Sequence, residues 1–354
     1  MMSTTELNAA ITAAGHFLLS RRGGGGLWSD FRTEAGRSDE WVSGFAAYAL
    51  AQAGGAADLA ATFDALIARQ RRNGGWGYNE FIPADSDSTG WVLLALSTAA
   101  ARKPSIAQRG RRFLRSHQDA AIGGFSTYLA RDGIDRVIGA PAGAVIDGWL
   151  QPQPCVTGLV VQSLLVQGER VDGPTVRSAV AYLLGQRTGS GAWPSYWWKG
   201  QAYSTYLCLK AVWAAHGLAR QAVRTTLQTV LARQRTDGGW SDTADGPSEA
   251  FATAFSILVL LLFPELGVMA DAGRGVAWLL RRQDDGGGWP TAPILRIPAP
   301  MTAKPDGMTV ASWSAIERGT SIIVPDQHAV YTSSAALWAL CAYRILRRPT
   351  AMFD

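Results

Sequence analysis

Two aspartates stand one residue apart in the stretch IPADSDSTGW, Ile82 to Trp91, and the run Val92-Leu93-Leu94-Ala95-Leu96 that follows carries no charge. Two kinds of chemistry fit these residues. Asp and Ser at a helix start are ordinary N-caps, accepting hydrogen bonds from the free backbone N–H groups of the first turn. Two carboxyls crowded against an apolar interior are also an acid pair that can hold a proton at neutral pH. A free Asp ionises near pH 3.9, but burial and a like charge alongside each disfavour ionisation. Such a pair titrates as one system. The helix N-terminus works against protonation, because its dipole favours negative charge. The surroundings of Asp85 and Asp87 decide between cap and proton donor.

Those surroundings are set by a repeat. Glycine followed by tryptophan recurs at Trp28, Trp76, Trp193, Trp240 and Trp289, with a degenerate copy, IGGF, at Phe125. Glutamine often stands just upstream, as in ARQRRNGGW, GQRTGSGAW, ARQRTDGGW and RRQDDGGGW. A recurring unit of this size means stacked supersecondary structures. The segment before each Gly-Trp element is an amphipathic helix: in RQAVRTTLQTVLARQR, Val223, Leu227, Val230 and Leu231 form one stripe. The segment after it is apolar nearly all round, as in WVSGFAAYALAQA, TGWVLLALST, VTGLVVQSLLV, YSTYLCLKAVWAA, AFATAFSILVLLL and YTSSAALWALCAY. A helix apolar on every side must be buried on every side. Six outer and six inner helices predict an all-α fold, a single (α/α)6 barrel of six helical hairpins spanning residues 1–354 as one domain. Turns from inner to outer helix are short. Two connections in the other direction, roughly 119–153 and 284–327, are long, and loops of that length in a compact domain usually serve a function. Both lie at the barrel end where the inner helices begin, with Asp85 and Asp87.

Composition narrows the function. The chain has 354 residues, Lys and Arg outnumber Asp and Glu by 33 to 28, and the net charge is +5. The basic residues are spread out, with no block of interleaved aromatics, so a nucleic-acid partner is not expected. The positive charge leaves attraction to an anionic membrane surface open. The three cysteines, Cys155, Cys208 and Cys341, form no disulfide framework or CxxC zinc pattern. The longest greasy stretch, AFATAFSILVLLLFPELGVMA, is broken by Pro264 and Glu265 and reads as a buried helix, not a membrane span. No basic leader precedes the first apolar residues, and the expected location is cytoplasmic, with peripheral membrane contact the extension of that reading.

The Gly-Trp repeats with upstream Gln resemble the QW motifs of the terpenoid cyclase and protein prenyltransferase superfamily, over the whole chain. DSDST, Asp85 to Thr89, resembles the DxDD(T) signature of class II terpenoid cyclases, such as squalene-hopene cyclase and the labdane-type diterpene cyclases. Ser88 stands where the signature has its third acid, and one α-domain stands where most members have two, so the chain is similar to a monodomain class II cyclase. The prenyltransferase branch needs a zinc site of Asp, Cys and His, and no Asp-x-Cys pair occurs here. The resemblance implies protonation of an alkene or epoxide in a linear polyprenyl chain, followed by ring closure through carbocations. It assigns the acid to Asp87, with Asp85 as its ionised or hydrogen-bonding neighbour, and implies no metal or other cofactor. The substrate would be a hydrophobic isoprenoid or a prenylated aromatic compound.

Gln153, Cys155 and Thr157 open the next inner helix, and each could reach Asp87. Carbocations need a lining that stabilises charge without reacting, and aromatic faces do this at about 0.5–2 kcal/mol each. Trp41, Phe45, Trp91, Tyr203, Tyr206, Phe251, Phe255 and Tyr331 stand in the first turns of inner helices and are the candidates. His328 is placed at the rim, and His117 reads as a charge at an outer-helix C-terminus. Trp149, Trp197, Trp198 and Trp313 fall in the connections as a lid, and Glu249 and Asp326 are further acids near the rim. Two other functions remain on this reading. An enzyme on a prenyl diphosphate would use magnesium and rim cations from Arg131, Arg136, Lys199, Arg296, Lys304 and Arg318. A non-catalytic barrel would simply bind an isoprenoid. Oligomeric state is not legible.

Overall fold

The computed structural model describes residues 3–99, 103–140, 143–215, 217–243, 245–305 and 322–347. Its helices pair in chain order: α1 (Thr4–Ser20) with α2 (Glu40–Gln52), α3 (Ala60–Ala68) with α4 (Ser86–Ser97), and α5 (Pro104–Arg115) with α8 (Pro154–Val166). Between α5 and α8 lie two one-turn helices, α6 (Ile134–Val137) and α7 (Asp147–Leu150). Then come α9 (Pro174–Gln186) with α10 (Ala202–Ala214), α11 (Arg220–Ala232) with α12 (Ala250–Leu261), and α13 (Met269–Arg282) with α14 (Val330–Arg347). The second member of each pair is the apolar one. These six pack in a ring, α2 on α4, α4 on α8, α8 on α10, α10 on α12, α12 on α14 and α14 back on α2. The outer helices wrap them, and the expected (α/α)6 toroid is observed. Three antiparallel two-stranded ribbons, absent from the all-α expectation, trim the end where the inner helices begin. They are β1 (Asp30–Thr33) with β2 (Gly36–Ser38), β3 (Trp76–Gly77) with β4 (Ala84–Asp85), and β5 (Pro293–Ile297) with β6 (Ile322–Pro325). Among the described residues no helix is long and apolar enough to cross a membrane.

The Gly-Trp repeat is a hydrogen-bonded clasp between neighbouring hairpins. In each unit a hydroxyl of the inner helix accepts the backbone N–H of the Trp or Phe that closes the motif. Ser43, Thr89, Thr157, Thr205, Thr253 and Ser333 do this at 2.8–3.3 Å. The five Trp indole N–H groups donate to the carbonyl ten residues earlier, in the last turn of the outer helix, at 2.6–2.8 Å. The residue upstream reaches across to the next outer helix. Gln70, Gln118, Gln234 and Gln283 each donate from Nε2 to a carbonyl of their own turn and to one near the start of the following outer helix, all at 2.8–2.9 Å. In the two units without this Gln, an arginine does the same work. Arg22 donates to Asp58 O and Arg187 to Ala222 O, both at 2.6 Å. The glutamine quoted from GQRTGSGAW, Gln186, is therefore one residue out of register. The turn leaves no room for side chains: a Cβ on Gly74, whose φ is +97°, would meet Arg109 O at 2.5 Å. Buried backbone groups must be paired, and six such clasps satisfy them where helix ends meet.

Gln283 makes the bond that closes the ring, because its second acceptor is Ala10 O in α1. Gln283→Ala is expected to lower unfolding free energy by about 1–3 kcal/mol, read by urea denaturation. An unchanged midpoint would remove the clasp from the forces that hold the toroid closed.

Candidate functional site

The first turn of α4 settles which acid is the cap. Asp85 ends β4, paired with Trp76 across the ribbon, and is the N-cap of α4 in extended conformation. Its Oδ1 accepts the Ser88 backbone N–H and its Oδ2 the Ser88 hydroxyl, both at 2.7 Å. Ser88, the departure from the third acid of the signature, thus serves as a donor to Asp85. Burial pushes Asp85 up to about 6, and the two bonds from Ser88 hold it from rising further. Asp87 is the contrasting case. Among the described residues its carboxyl takes no hydrogen bond of ordinary geometry. Burial first, and the charge of Asp85 second, raise it well above the usual carboxylate range. The Trp41 indole N–H lies close enough to favour the ionised form somewhat, yet makes no hydrogen bond of ordinary length and angle itself. We read it as a spare donor beside the acid. Asp87 is half-buried by accessibility although it sits deep in the protein, because its accessible part faces a cavity. The cap reading therefore holds for Asp85, and Asp87 is the carboxyl that faces the cavity, raised above its usual range by burial and by the charge of Asp85.

The cavity is about 280 Å³. Trp41, Asp85, Asp87 and Ser88 lie at its inner end. Thr127, Tyr128, Ile134, Val137 and Ile138 form one wall, Tyr78 and Ile82 another, and Trp149, Trp197, Leu295 and Ile297 a third. Thr33, Glu34 and Ala35, from the β1–β2 turn, make the lip. Tyr128 is buried beside the acids; burial first, and the charge of Asp85 second, raise its phenol well above its usual value. Two anchors fix the wall that carries it. Buried His117 joins Phe113 O at 3.0 Å and Asp132 Oδ2 at 3.2 Å, while that oxygen also accepts the Leu129 N–H at 2.7 Å. Gln153 Oε1 accepts from Thr127 N and Oγ1 at 3.2 and 3.0 Å. Thr127 O in turn accepts the backbone N–H of Ser86 at 3.1 Å, next to Asp85.

Several sequence expectations change here. Thr157 does not meet the acids or the cavity; its hydroxyl clasps Phe125. Gln153 positions Thr127. Cys155 lies near Asp87 and near the backbone N–H groups of Tyr196 and Trp197, and burial raises its thiol above the usual value, but it is outside the cavity lining. Of the aromatic candidates, Trp41 lines the cavity. Phe45, Trp91, Tyr203, Tyr206, Phe251, Phe255 and Tyr331 instead fill the barrel axis beneath it. Their rings touch one another: Phe45 and Tyr331 are 4.0 Å apart between centroids, Phe45 and Trp91 4.7 Å, and Tyr203 and Phe255 4.9 Å. Trp198 joins this column, 4.3 Å from Tyr203, whereas Trp149 and Trp197 do wall the cavity. The reason is geometric: a position that faces inward on an inner helix faces the axis, and side chains close the axis. His328 is half-buried at the start of α14, where its backbone N–H donates to Asp30, and it does not line the cavity. His117, just past the end of α5, is a buried anchor. Asp326 accepts the backbone N–H and the hydroxyl of Thr332 in the first turn of α14, and Glu249 pairs with Lys199 at 3.1 Å.

The rim cations point elsewhere. Arg131 donates to Ser116 O. Buried Arg296 binds the carbonyls of Tyr196, Ser195 and Pro305. Lys304 is exposed, and Arg136, outside the lining, lies against Gly133. Trp313 and Arg318 fall outside the described residues. Among the described residues no cluster of His, Cys, Asp and Glu is arranged to hold a metal ion. Sequence reasoning missed Tyr78, Tyr128 and the aliphatic wall, which all sit on connections where helical periodicity gives no signal. A clue was available: Tyr78 follows Trp76, and Tyr128 follows Phe125, just after a clasp.

Toroid, clasps and an acid pair at the foot of the second inner helix together resemble a barrel of the terpenoid-cyclase type. The chain belongs to the squalene-hopene cyclase family: the family model described as squalene-hopene cyclase C-terminal domain matches residues 72–295. A squalene–hopene cyclase from Zymomonas mobilis is 27% identical over 244 residues, 62% of this chain and 36% of its own length. Drimenyl diphosphate synthase from Streptomyces showdoensis is 25% identical over 246 residues, 67% of this chain and 42% of its own. The chain thus spans well under half of these curated relatives. A solved structure of a variant of type II terpene cyclase MstE from Scytonema, in complex with geranylgeranyl dihydroxybenzoate as substrate, matches along nearly its full length. It is 28% identical, with a TM-score of 0.87, over 97% of this chain and 98% of that one.

Asp85→Asn removes the negative charge that, after burial, raises Asp87, while leaving an Asn able to cap. The expected outcome is a lower ionisation pH for Asp87, so that any activity carried by its acid form falls off at lower pH than in the wild type. A pH–rate profile whose alkaline limb stays in place or moves upward would show that the two carboxyls are not coupled.

Proposed function

We propose that this protein is a class II terpenoid or meroterpenoid cyclase, built as one toroid over residues 1–354. Asp87 protonates the terminal alkene, or epoxide, of a linear polyprenyl substrate, and the aromatic cavity guides the cations that follow. The observation that carries this reading is a carboxyl raised well above its usual range by burial, free of ordinary hydrogen bonds, facing an aromatic cavity. An alkene is a very weak base, so its proton donor must be a neutral acid held away from water. Asp85 keeps the negative charge of the pair and, fixed by Ser88, stabilises the carboxylate–cation arrangement after transfer. Trp41, Tyr78, Tyr128, Trp149 and Trp197 offer ring faces to the positive charge. None of these roles calls for a metal. The likeness to MstE favours a prenyl chain joined to an aromatic head group. The chain would enter past the lip at Glu34, and exposed Val137 and Phe81, the latter beside Ile82 of the wall, suit contact with a membrane surface that carries such a lipid.

Asp87→Asn separates this from a structural role. The native carboxyl titrates above its unfolded value, so its contribution to stability is best below the ordinary carboxylate range and is lost as pH rises through the native value. The Asn variant has nothing to ionise and is expected to melt no lower than wild type at neutral pH. Its turnover should fall by on the order of 10²–10⁴-fold or more. An active variant that melts earlier would make Asp87 a cap. In heavy water the wild-type product of an alkene substrate should carry deuterium at the protonated carbon. A cyclised product without it, formed only with magnesium from a diphosphate, would place the start of the reaction at a leaving group.

A further inference from the structure

We propose that Trp41 is the positioning residue for the acid: its indole N–H, unbonded while Asp87 holds the proton, closes on the carboxylate as that proton leaves. The inference rests on the cyclase reading above and deepens it. Buried indole N–H groups ordinarily find an acceptor. The five clasp indoles donate to carbonyls. Those of Trp91, Trp149 and Trp197 donate to the Tyr203 hydroxyl, Pro298 O and the Thr127 hydroxyl at 2.8–3.0 Å. Among the described residues Trp41 carries the one indole nitrogen that is buried without a hydrogen-bond partner.

The ring cannot turn to seek another acceptor. Its centroid lies 4.9 Å from that of Tyr331, 5.3 Å from Phe31, 5.8 Å from Trp198 and 6.2 Å from Tyr78, and a side chain packed on so many sides keeps its rotamer. Trp41 lines the cavity with Asp87, and among the described residues it is the one group whose hydrogen bonding favours the ionised form of that carboxyl. The other titratable groups that feel the charge of Asp87 are Tyr128 on the wall, Cys155 on α8, Tyr203 on α10 and Tyr331 on α14. Burial raises all four, so they are neutral at pH 7. Asp85, in the same turn, repels a charge on Asp87. A carboxylate formed at Asp87 therefore meets a like charge on one side, and the indole N–H is the donor poised to receive it.

Such a donor stabilises one state of the reaction more than the other. When Asp87 gives its proton to the terminal alkene, the π pair forms the new C–H bond, the O–H pair stays on the carboxyl oxygen, and the positive charge moves to the prenyl chain. A hydrogen bond to a carboxylate is roughly twice as strong as one between neutral groups. A donor already held in place costs no reorganisation when the charge appears. A bond made only as the proton leaves speeds the chemical step without tightening substrate binding. Solvent later returns a proton to Asp87, and the indole N–H is unbonded again.

Two replacements separate the N–H from the ring. Trp41→Phe removes the donor, and benzothienylalanine placed at residue 41 puts sulfur where the N–H was while keeping the bicyclic ring and its stacking. Without substrate, the infrared titration of the Asp87 carboxyl C=O band is expected to move to higher pH in both proteins, because each has lost a donor that favours the ionised form. With geranylgeranyl dihydroxybenzoate as the probe, kcat should fall by about 10–10²-fold at unchanged KM. The alkaline limb of the pH–rate profile should move up together with the band. A band that titrates as in the wild type in the benzothienylalanine protein overturns the proposal, and so does an unchanged kcat or a loss confined to KM; each leaves the cyclase reading standing. A wild type that cyclises neither this probe nor geranylgeraniol overturns the cyclase reading and with it the part of Trp41 in turnover, while the titration decides separately whether the indole donates to Asp87.

Discussion

The proposed function turns on one constraint: a carboxylic acid has to stay neutral at a helix N-terminus, a place that favours its ionised form. The solution is a division of labour between two aspartates one residue apart. Asp85 takes the cap position and the bonds from Ser88, and so absorbs the preference of the helix end for negative charge. Asp87, on the first turn, is left with burial, a like charge and the cavity. Ser88 matters to this division. A third acid there would add another like charge to the site, whereas a hydroxyl supplies a hydrogen bond that fixes the charge on Asp85.

The rest of the fold keeps water from upsetting that balance. Six clasps tie outer helices, turns and inner helices into a closed ring, so the inner helices start at a common level and their first turns converge. The aromatic column then fills the axis beneath the acids. The rings that face the cavity from the connections, such as Tyr78, Tyr128 and Trp197, are the ones the proposed reaction would use to stabilise a cation, and the segment carrying Tyr128 is held by polar anchors: His117 with Asp132, and Gln153 with Thr127.

The barrel was legible in the sequence because both of its signals are periodic. Gly-Trp elements and alternating amphipathic and wholly apolar helices report local geometry that repeats six times. Asp85 and Asp87 were legible because they stand at the start of such a helix. The cavity wall was not, since it is built from residues 127–138 and 293–297, whose positions depend on contacts distant in sequence. The same limit explains the aromatic candidates: first-turn position places Phe45, Phe255 and Tyr331 on inner helices but does not tell a cavity wall from a filled axis. Thr157 is a similar case. Its place at the start of α8 suggested the acids, while the clasp formed by its counterparts Thr89 and Thr253 fixes its role. Arg22 and Arg187 show how a repeat hides variation, since an arginine there makes the cross-helix bond that glutamine makes elsewhere.

The protonation state of Asp87 in the resting protein is the most direct measure of this account. Infrared difference spectra between the wild type and Asp87→Asn at pH 7, with aspartate carboxyls isotopically labelled, resolve it. The account predicts that the wild type shows a protonated-carboxyl C=O band which the variant lacks, with the carboxylate bands of the other aspartates unchanged. A difference confined to a carboxylate band would mean that Asp87 is ionised at rest, and the proton donor would have to be sought elsewhere.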